Sequence, residues 1–451
     1  MTSTKLTVLA VTAAAAAIVW CVVTAPGWFL LGTVVLAAAA ALVAVIRFVQ
    51  LAPEARRYWP AARWHKLTWL RLARNLNLAL VDAHLGGVGS SKAKRVNCPR
   101  AHFKPDPFGF VVSLRLVPGV SRGEVEKSAE HLGNAWGAWR VGITQTAPNR
   151  LRLRAMRRDP LAEPLGSHVL PEFDGRHLVL GRDEWGELRR ASLAGIAGSV
   201  IGGNPGRGKS QAASAFAVQL APVRNSDWYI LDGGGGADWS CWRRRAVRFC
   251  TDDLAEARDV LEEAHGRMVG RLATLTDDLG TRNAWTRGPT EEYPLLWVPI
   301  DESSVYLDLE SAKALGKQAE DQVRAIRGLV MGMLRRGRKA LVHVTLLAQK
   351  ATSSSIPPDI RDLAGLRLCF GVATTEAGIA VLGDDLREFK SLSPTGLQGD
   401  EHVGVCTARL KTGADPYTRL RVPYVSEDQA DEVARQVSPQ LVLVESEQIP
   451  A

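Results

Sequence analysis

Cysteine is scarce and scattered: six in 451 residues, at positions 21, 98, 241, 250, 369 and 406, with no C-x-x-C pair. That spacing excludes the usual zinc ligand sets and a disulfide framework, and it suits a reducing compartment for the bulk of the chain. An acidic excess is also missing. Lys and Arg number 56 against 47 Asp and Glu, a formal charge of +9. A basic balance favours a polyanionic partner or an anionic membrane surface. Lys is itself the minority cation beside Arg, and Ala is abundant, as in coding from a GC-rich genome. What is present is enough apolar material for a large core, 46% of a chain long enough for two or three domains.

Two long apolar runs open the chain, Leu6 to Thr24 and Trp28 to Val45, separated by Ala25-Pro26-Gly27. Each matches the length of a bilayer-spanning helix. Lys5 precedes the first, and Arg47, Arg56 and Arg57 follow the second, which places both ends on the cytoplasmic side. The expectation is a two-helix transmembrane hairpin over 1–46 in the plasma membrane, N- and C-termini cytoplasmic. A cleaved signal peptide fits less well because of the second run.

Residues 47–103 read as a basic connector. Cations and aromatics interleave in Arg56-Arg57-Tyr58-Trp59 and Arg63-Trp64-His65-Lys66, as in a segment lying on lipid headgroups or a nucleic-acid track. Residues 104–165 read as a small α/β domain. Gly109 to Val117 alternates like a strand, and Ser121 with Glu124 forms a capping-box pattern before a helix running to about Trp139. Two further strands follow, Val141 to Ala147 and Leu151 to Met156. In the second, Arg150, Arg152 and Arg154 share one face, which is either a solvated surface or one turned to a DNA backbone.

The motor domain is expected over 166–425, with a tail over 426–451. Its centre is Gly203-Asn204-Pro205-Gly206-Arg207-Gly208-Lys209-Ser210, the G-x-x-x-x-G-K-S pattern between an apolar strand and an Ala-rich helix. Glycines let main-chain N–H groups curl around phosphate oxygens, and the helix start adds partial positive charge. The expected ATP cradle is therefore residues 203–208 with Lys209, Ser210 and Gln211. Lys209 reaches the β- and γ-phosphates, and Ser210 ligates Mg²⁺. About ninety residues on, an apolar strand ends in Asp301-Glu302, where Asp301 would hold Mg²⁺ and Glu302 would deprotonate the attacking water. Pro299 within that strand suggests a bulge. A buried strand ends at Gln349, placed to sense the γ-phosphate or the water. His343, in the same apolar strand, reads as a satisfied core histidine.

Together these residues resemble the motor region of the FtsK/SpoIIIE-type DNA translocases. The similarity rests on Gly203 to Ser210, Asp301-Glu302, Leu347-Ala348-Gln349, Ile360-Arg361 to Arg367, Val372-Ala373-Thr374 and Val381-Leu382-Gly383-Asp384. The resemblance implies an α/β, RecA-like P-loop NTPase domain behind a small α/β domain, a homo-hexameric ring, and ATP-driven movement along double-stranded DNA. With the short anchor and compact size, the chain looks most like the conjugal transfer translocases of actinobacterial plasmids and integrative elements, whose partners include other transfer proteins. The resemblance also implies an arginine acting across the subunit boundary, Arg367 by position with Arg361 as runner-up. Three features depart from the family pattern. Gly234 stands where Lys is common, Pro205 and Arg207 replace small residues, and the 26 residues after Val425 are too few for a DNA-reading winged helix.

The expected function is thus a membrane-anchored, ATP-dependent DNA translocase in conjugation. The alternatives are a coupling ATPase delivering single-stranded DNA or protein to a secretion channel, and a tethered DNA-binding protein with a degenerate nucleotide site.

Overall fold

The computed structural model describes residues 28–78, 80–81, 96–235, 238–410 and 416–437. The chain divides into two compact units, Met1–Asp159 and Pro160–Ala451.

The first apolar run of the expected hairpin lies outside the described residues. The second forms a helix, Trp28–Val49. Among the described residues, however, no helix is long and apolar enough to cross a membrane. The two-span anchor and the plasma-membrane location are therefore corrected. The run contains five consecutive alanines, Ala37 to Ala41, which bury little apolar area, and Arg47 enters its last turn.

The N-terminal unit is built on a four-stranded antiparallel sheet in the order Arg100–Asp106, Gly109–Arg115, Arg150–Met156, Arg140–Ala147. Ser121 caps the following helix as its spacing predicts, accepting from the Glu124 N–H, while Glu124 accepts from the Ser121 N–H. The helix is two segments, Arg122–Lys127 and Ala129–Trp136, and it stops at Gly137 with φ 57°. The connector is not separate from this unit. Its aromatic stretch forms a helix, Trp59–Asn75, which buries Ala62, Trp69 and Ala73. Trp69 stacks near Phe103 and Trp136 and donates to the Pro99 carbonyl at 2.7 Å. The expected boundary at 104 therefore falls inside a strand. Pro105 and the polar Arg100, His102 and Lys104 hid that strand, since its apolar face has only Phe103 fully buried.

The larger unit carries a ten-stranded sheet. Six parallel strands come first in space: Arg248–Cys250, Ser226–Asp232, Leu295–Asp301, Val342–Ala348, Gly198–Gly202 and Leu366–Cys369. Four antiparallel strands extend it: Val405–Arg409, Tyr417–Arg421, His177–Asp183 and Leu188–Ser192. Helices cover both faces, so the central strands read as continuous apolar runs. Leu254–Leu279 and Lys317–Arg336 pack on one face, and Lys209–Leu220 on the other. Pro299 makes no bulge. Trp228 pairs with Trp297 and Leu231 with Ile300, so the register is kept across the interruption beside the proline. Its missing N–H costs only local pairing with one neighbour, while the other neighbour stays paired at Thr345.

Candidate active site

Parallel strands all end on the same edge, and in open α/β sheets ligands bind outside that edge. Five loops converge there, after Gly202, Asp232, Asp301, Ala348 and Cys369. The strand before the glycine loop lies between Val342–Ala348 and Leu366–Cys369, which centres the loop on this edge.

The loop needs glycine at two places for identifiable reasons. A Cβ on Gly203 would stand 2.7 Å from Phe370 Cβ, and one on Gly208 would stand 2.9 Å from Gly404 Cα. Gly208, at φ 112°, starts the Lys209–Leu220 helix without a side-chain cap. The first-turn N–H groups therefore retain their capacity for an anion. Lys209 is buried, with Nζ donating to the Asn204 carbonyl at 2.9 Å. Burial lowers its pKa, and the carboxylates of Glu302 and Asp301 oppose that shift. A phosphate would supply the counter-charge that Lys209 has only in part.

The two residues that depart from the usual glycine loop have different surroundings. Arg207 turns out of the cradle. Its guanidinium donates to the Gly399 carbonyl at 3.1 Å and lies 3.5 Å from Asp400, and its own carbonyl accepts from the Gly404 N–H at 3.0 Å. Pro205 lines the clefts on either side of the loop. The Asn204 N–H donates to the Gly371 carbonyl at 2.9 Å, and Gln211 Oε1 accepts from the Val425 N–H at 2.9 Å. The side chains of Arg207 and Gln211 are thus structural ties.

Asp301 and Glu302 sit where the acid pair is expected. Asp301 Oδ1 accepts from the Glu302 N–H at 2.8 Å, and Oδ2 accepts from the Trp239 indole N–H at 2.8 Å. Burial raises the Asp301 pKa, and those two hydrogen bonds oppose the rise. Each oxygen keeps a second lone pair, so the carboxylate still suits a water-bridged cation. Glu302 adopts a left-handed backbone, φ 43° and ψ 62°, which is strained for a non-glycine residue. Its carboxylate accepts from the Ser304 hydroxyl and, at 3.2 Å, from the main-chain N–H of Gln349. The ends of two neighbouring strands are thereby joined at the carboxylate expected to act as base.

A cleft of about 860 Å³ is lined by Gly206, Gly208, Lys209, Ser210 and Gln211 on one side and by Leu165, Val422 and Tyr424 on another. A second, of about 1080 Å³, takes in Asn204, Glu302, Gln349 and Arg361. Gln349 and Pro205 border both. The structure thus gathers Lys209, Ser210, Glu302 and Gln349 around the glycine loop. Asp301 stands behind them beside Trp239.

Arg367 does not join this group. It is 6% exposed, donates to the Ala364 carbonyl at 3.1 Å and the Leu382 carbonyl at 2.9 Å, and lies 3.3 Å from Asp362. Burial and the neighbouring Arg409 push its pKa down to about 10. A guanidinium so enclosed holds its own chain together. Arg361 is also tied inward, to the Ile379 carbonyl at 3.1 Å and to Asp362.

Sequence reasoning missed Trp239, which shows only as an aromatic after a glycine run. It missed Arg421, whose guanidinium donates to the Val403 and Glu401 carbonyls, each at 2.7 Å, and holds the loop that packs on Gly208.

Fold and site together define a P-loop α/β nucleotide-binding protein. Over 82% of its length the chain is similar to the pCW3 conjugation coupling protein TcpA, solved as a monomer with ATPgS. That match covers 99% of TcpA at 17% identity with a TM-score of 0.51, a likeness of fold. The chain is also similar to the cytoplasmic domain of the Thermomonospora curvata type VII secretion ATPase EccC, at 20% identity and a TM-score of 0.45. That match covers 62% of this chain and 33% of the EccC cytoplasmic-domain chain. The likeness to TcpA is one of fold, and it is the fold that the FtsK/SpoIIIE-type resemblance implies. No family model and no curated protein matches the sequence.

Proposed function

We propose that this chain is an ATPase that couples hydrolysis to movement of DNA during conjugative transfer, with double-stranded DNA as its track. The observation that carries the reading is the convergence of Lys209, Ser210, Glu302 and Gln349 at one sheet edge, with Asp301 held beside them. Lys209 and the helix start bind the phosphates. Gln349, through its main-chain N–H, orients the Glu302 carboxylate, which takes the proton from the attacking water. Ser210 and Asp301 would hold Mg²⁺, which when bound would neutralise charge on the phosphates. The apolar wall at Leu165, Val422 and Tyr424 suits the base of the nucleotide. Assembly into a homo-hexamer belongs to this proposal and follows from the resemblance.

The second reading is a coupling ATPase for single-stranded DNA or protein. It is favoured by the fold shared with a protein described as a conjugation coupling protein. ATP turnover by the full chain, measured with duplex DNA, single-stranded DNA or neither, separates the two. Stimulation by duplex is expected. Preferential stimulation by single strands favours the second reading, and no turnover under any condition rejects both.

A further inference from the structure

We propose that the open face of the four-stranded sheet in the N-terminal unit is a docking surface for the sugar-phosphate backbone of duplex DNA. The proposal takes its partner class from the function above, but the surface is defined by this unit alone.

The sheet is strongly two-sided. One face buries Phe103, Phe110, Val112, Leu114, Leu151 and Leu153 against the helices. The other face is rich in cations. The register puts Arg100 opposite Arg115, and Arg115 opposite Arg150. The next row is His102, Ser113, Arg152 and Thr144, and the third is Lys104, Val111, Arg154 and Gly142. Arg100, Lys104, Arg115, Arg150 and Arg152 are exposed, and Arg154 is half-buried. The four strands contain a single acid, Asp106, at one end of the array. Its Oδ1 accepts from the Phe108 N–H at 3.1 Å.

Like charges directly opposite each other across a sheet repel and destabilise it. A solvated face ordinarily mixes both signs. Three arginines in one cross-strand row, with no acid interleaved, therefore destabilise the isolated sheet unless a polyanion lies on it. Strands are about 4.8 Å apart and alternate residues about 6.7 Å apart along each strand, so the cations form a two-dimensional lattice, as a phosphate backbone requires. Sheet surfaces that take single strands use aromatic side chains as stacking platforms. Here Phe103 and Phe110 point the other way, into the core, and the open face offers only His102 among rings. The surface therefore suits backbone contact without base readout, the mode a motor moving along arbitrary sequence needs.

The test is the salt dependence of binding of the full chain to a short labelled duplex, read by fluorescence anisotropy over a series of KCl concentrations. Arg115→Gln, Arg150→Gln and Arg152→Gln combined are expected to lower the slope of log K against log[KCl] by about 3, roughly one for each phosphate that is no longer neutralised. The loss of affinity is expected to be equal on two unrelated sequences. Arg122→Gln with Lys127→Gln, on a helix of the same unit, controls for general charge and is expected to leave the slope unchanged. Far-ultraviolet circular dichroism and the thermal midpoint check that the triple variant folds. An unchanged slope in a folded triple variant overturns the proposal, as does a weakening confined to one sequence or an equal weakening in the control. Stronger competition by single-stranded DNA overturns the duplex assignment. Binding to phosphatidylserine vesicles through the same arginines, with the duplex slope unmoved, assigns the face to lipid instead. Basal ATP turnover is expected to be the same in the triple variant. A wild-type chain without turnover that still shows the arginine-dependent slope rejects the motor and upholds the surface.

Discussion

The indole N–H of Trp239 donates a 2.8 Å hydrogen bond to Asp301, the acid that ends a central strand. Trp239 packs against Trp297 of that same strand, with ring centroids 5.9 Å apart. The residue just past the glycine run is thus fastened to the carboxylate expected to serve the metal. Burial holds the Asp301 pKa above the usual carboxylate range, and Trp239 offsets part of that shift. Trp239→Phe keeps a ring and removes the donor. The acid limb of the pH–kcat/KM profile is then expected to move up by about one pH unit, the equivalent of about 1.5 kcal/mol for a hydrogen bond to a charged group. An unmoved acid limb at saturating Mg²⁺ would show that the indole does not act on Asp301.

Lys209→Ala is expected to abolish DNA-stimulated hydrolysis with the fold intact. The buried ammonium is only partly compensated by its neighbours, so the free protein loses little on its removal. Undiminished turnover in a variant with wild-type circular dichroism would sink the site assignment.

Glu302→Gln is isosteric, and its amide oxygen still accepts from the Gln349 N–H. It cannot take a proton from water. Single-turnover hydrolysis is expected to fall by about 10²–10⁴, with nucleotide affinity changed only a few-fold. Hydrolysis within tenfold of wild type would remove Glu302 from the role of base.

Arg367→Ala tests a structural reading against a catalytic one. The variant loses a buried guanidinium that serves two carbonyls and lies near Asp362. Denaturant unfolding is expected to show a loss of about 3 kcal/mol. Wild-type stability combined with a large fall in kcat would restore the arginine to a role across a subunit boundary.

His343 makes stability depend on pH. It is fully buried, with Nδ1 3.2 Å from the Ile196 carbonyl and Nε2 3.1 Å from the Ser199 hydroxyl. Burial pushes its pKa down to about 4. The unfolded chain binds a proton near pH 6.5, so stability falls as pH drops from 6.5 toward 4, by about 3 kcal/mol in all. His343→Asn is expected to flatten that slope in denaturant titrations at several pH values. An identical slope in the variant would assign the acid sensitivity elsewhere.

Local pattern was enough for the elements whose cause is local. The capping box at Ser121 and the strand–loop–helix around Lys209 both follow from neighbours a few positions apart. The glycine-loop spacing and the strand end at Asp301-Glu302 were legible for the same reason, because each motif is one strand end and its turn. The strand Arg100–Asp106 was not, because its partner Gly109–Arg115 and the aromatic residues from the Trp59–Asn75 helix define its buried side. Apolar length alone misjudged the run from Trp28, since Ala counts as apolar without burying much area. Position along the chain likewise did not show the surroundings of Arg367. A strand-end arginine is outward or inward according to what packs over it, and here the Thr375–Leu382 helix presents its terminal carbonyl to the guanidinium. By itself the sequence determined the class of chemistry: which loop can hold phosphate, which acids can follow it, and a basic balance. Only the tertiary structure decided which of those groups meet. The parallel strands carry residues about a hundred positions apart to one edge, and the antiparallel register aligns Arg100, Arg115 and Arg150 in a single row. Both are long-range pairings that no local spacing encodes.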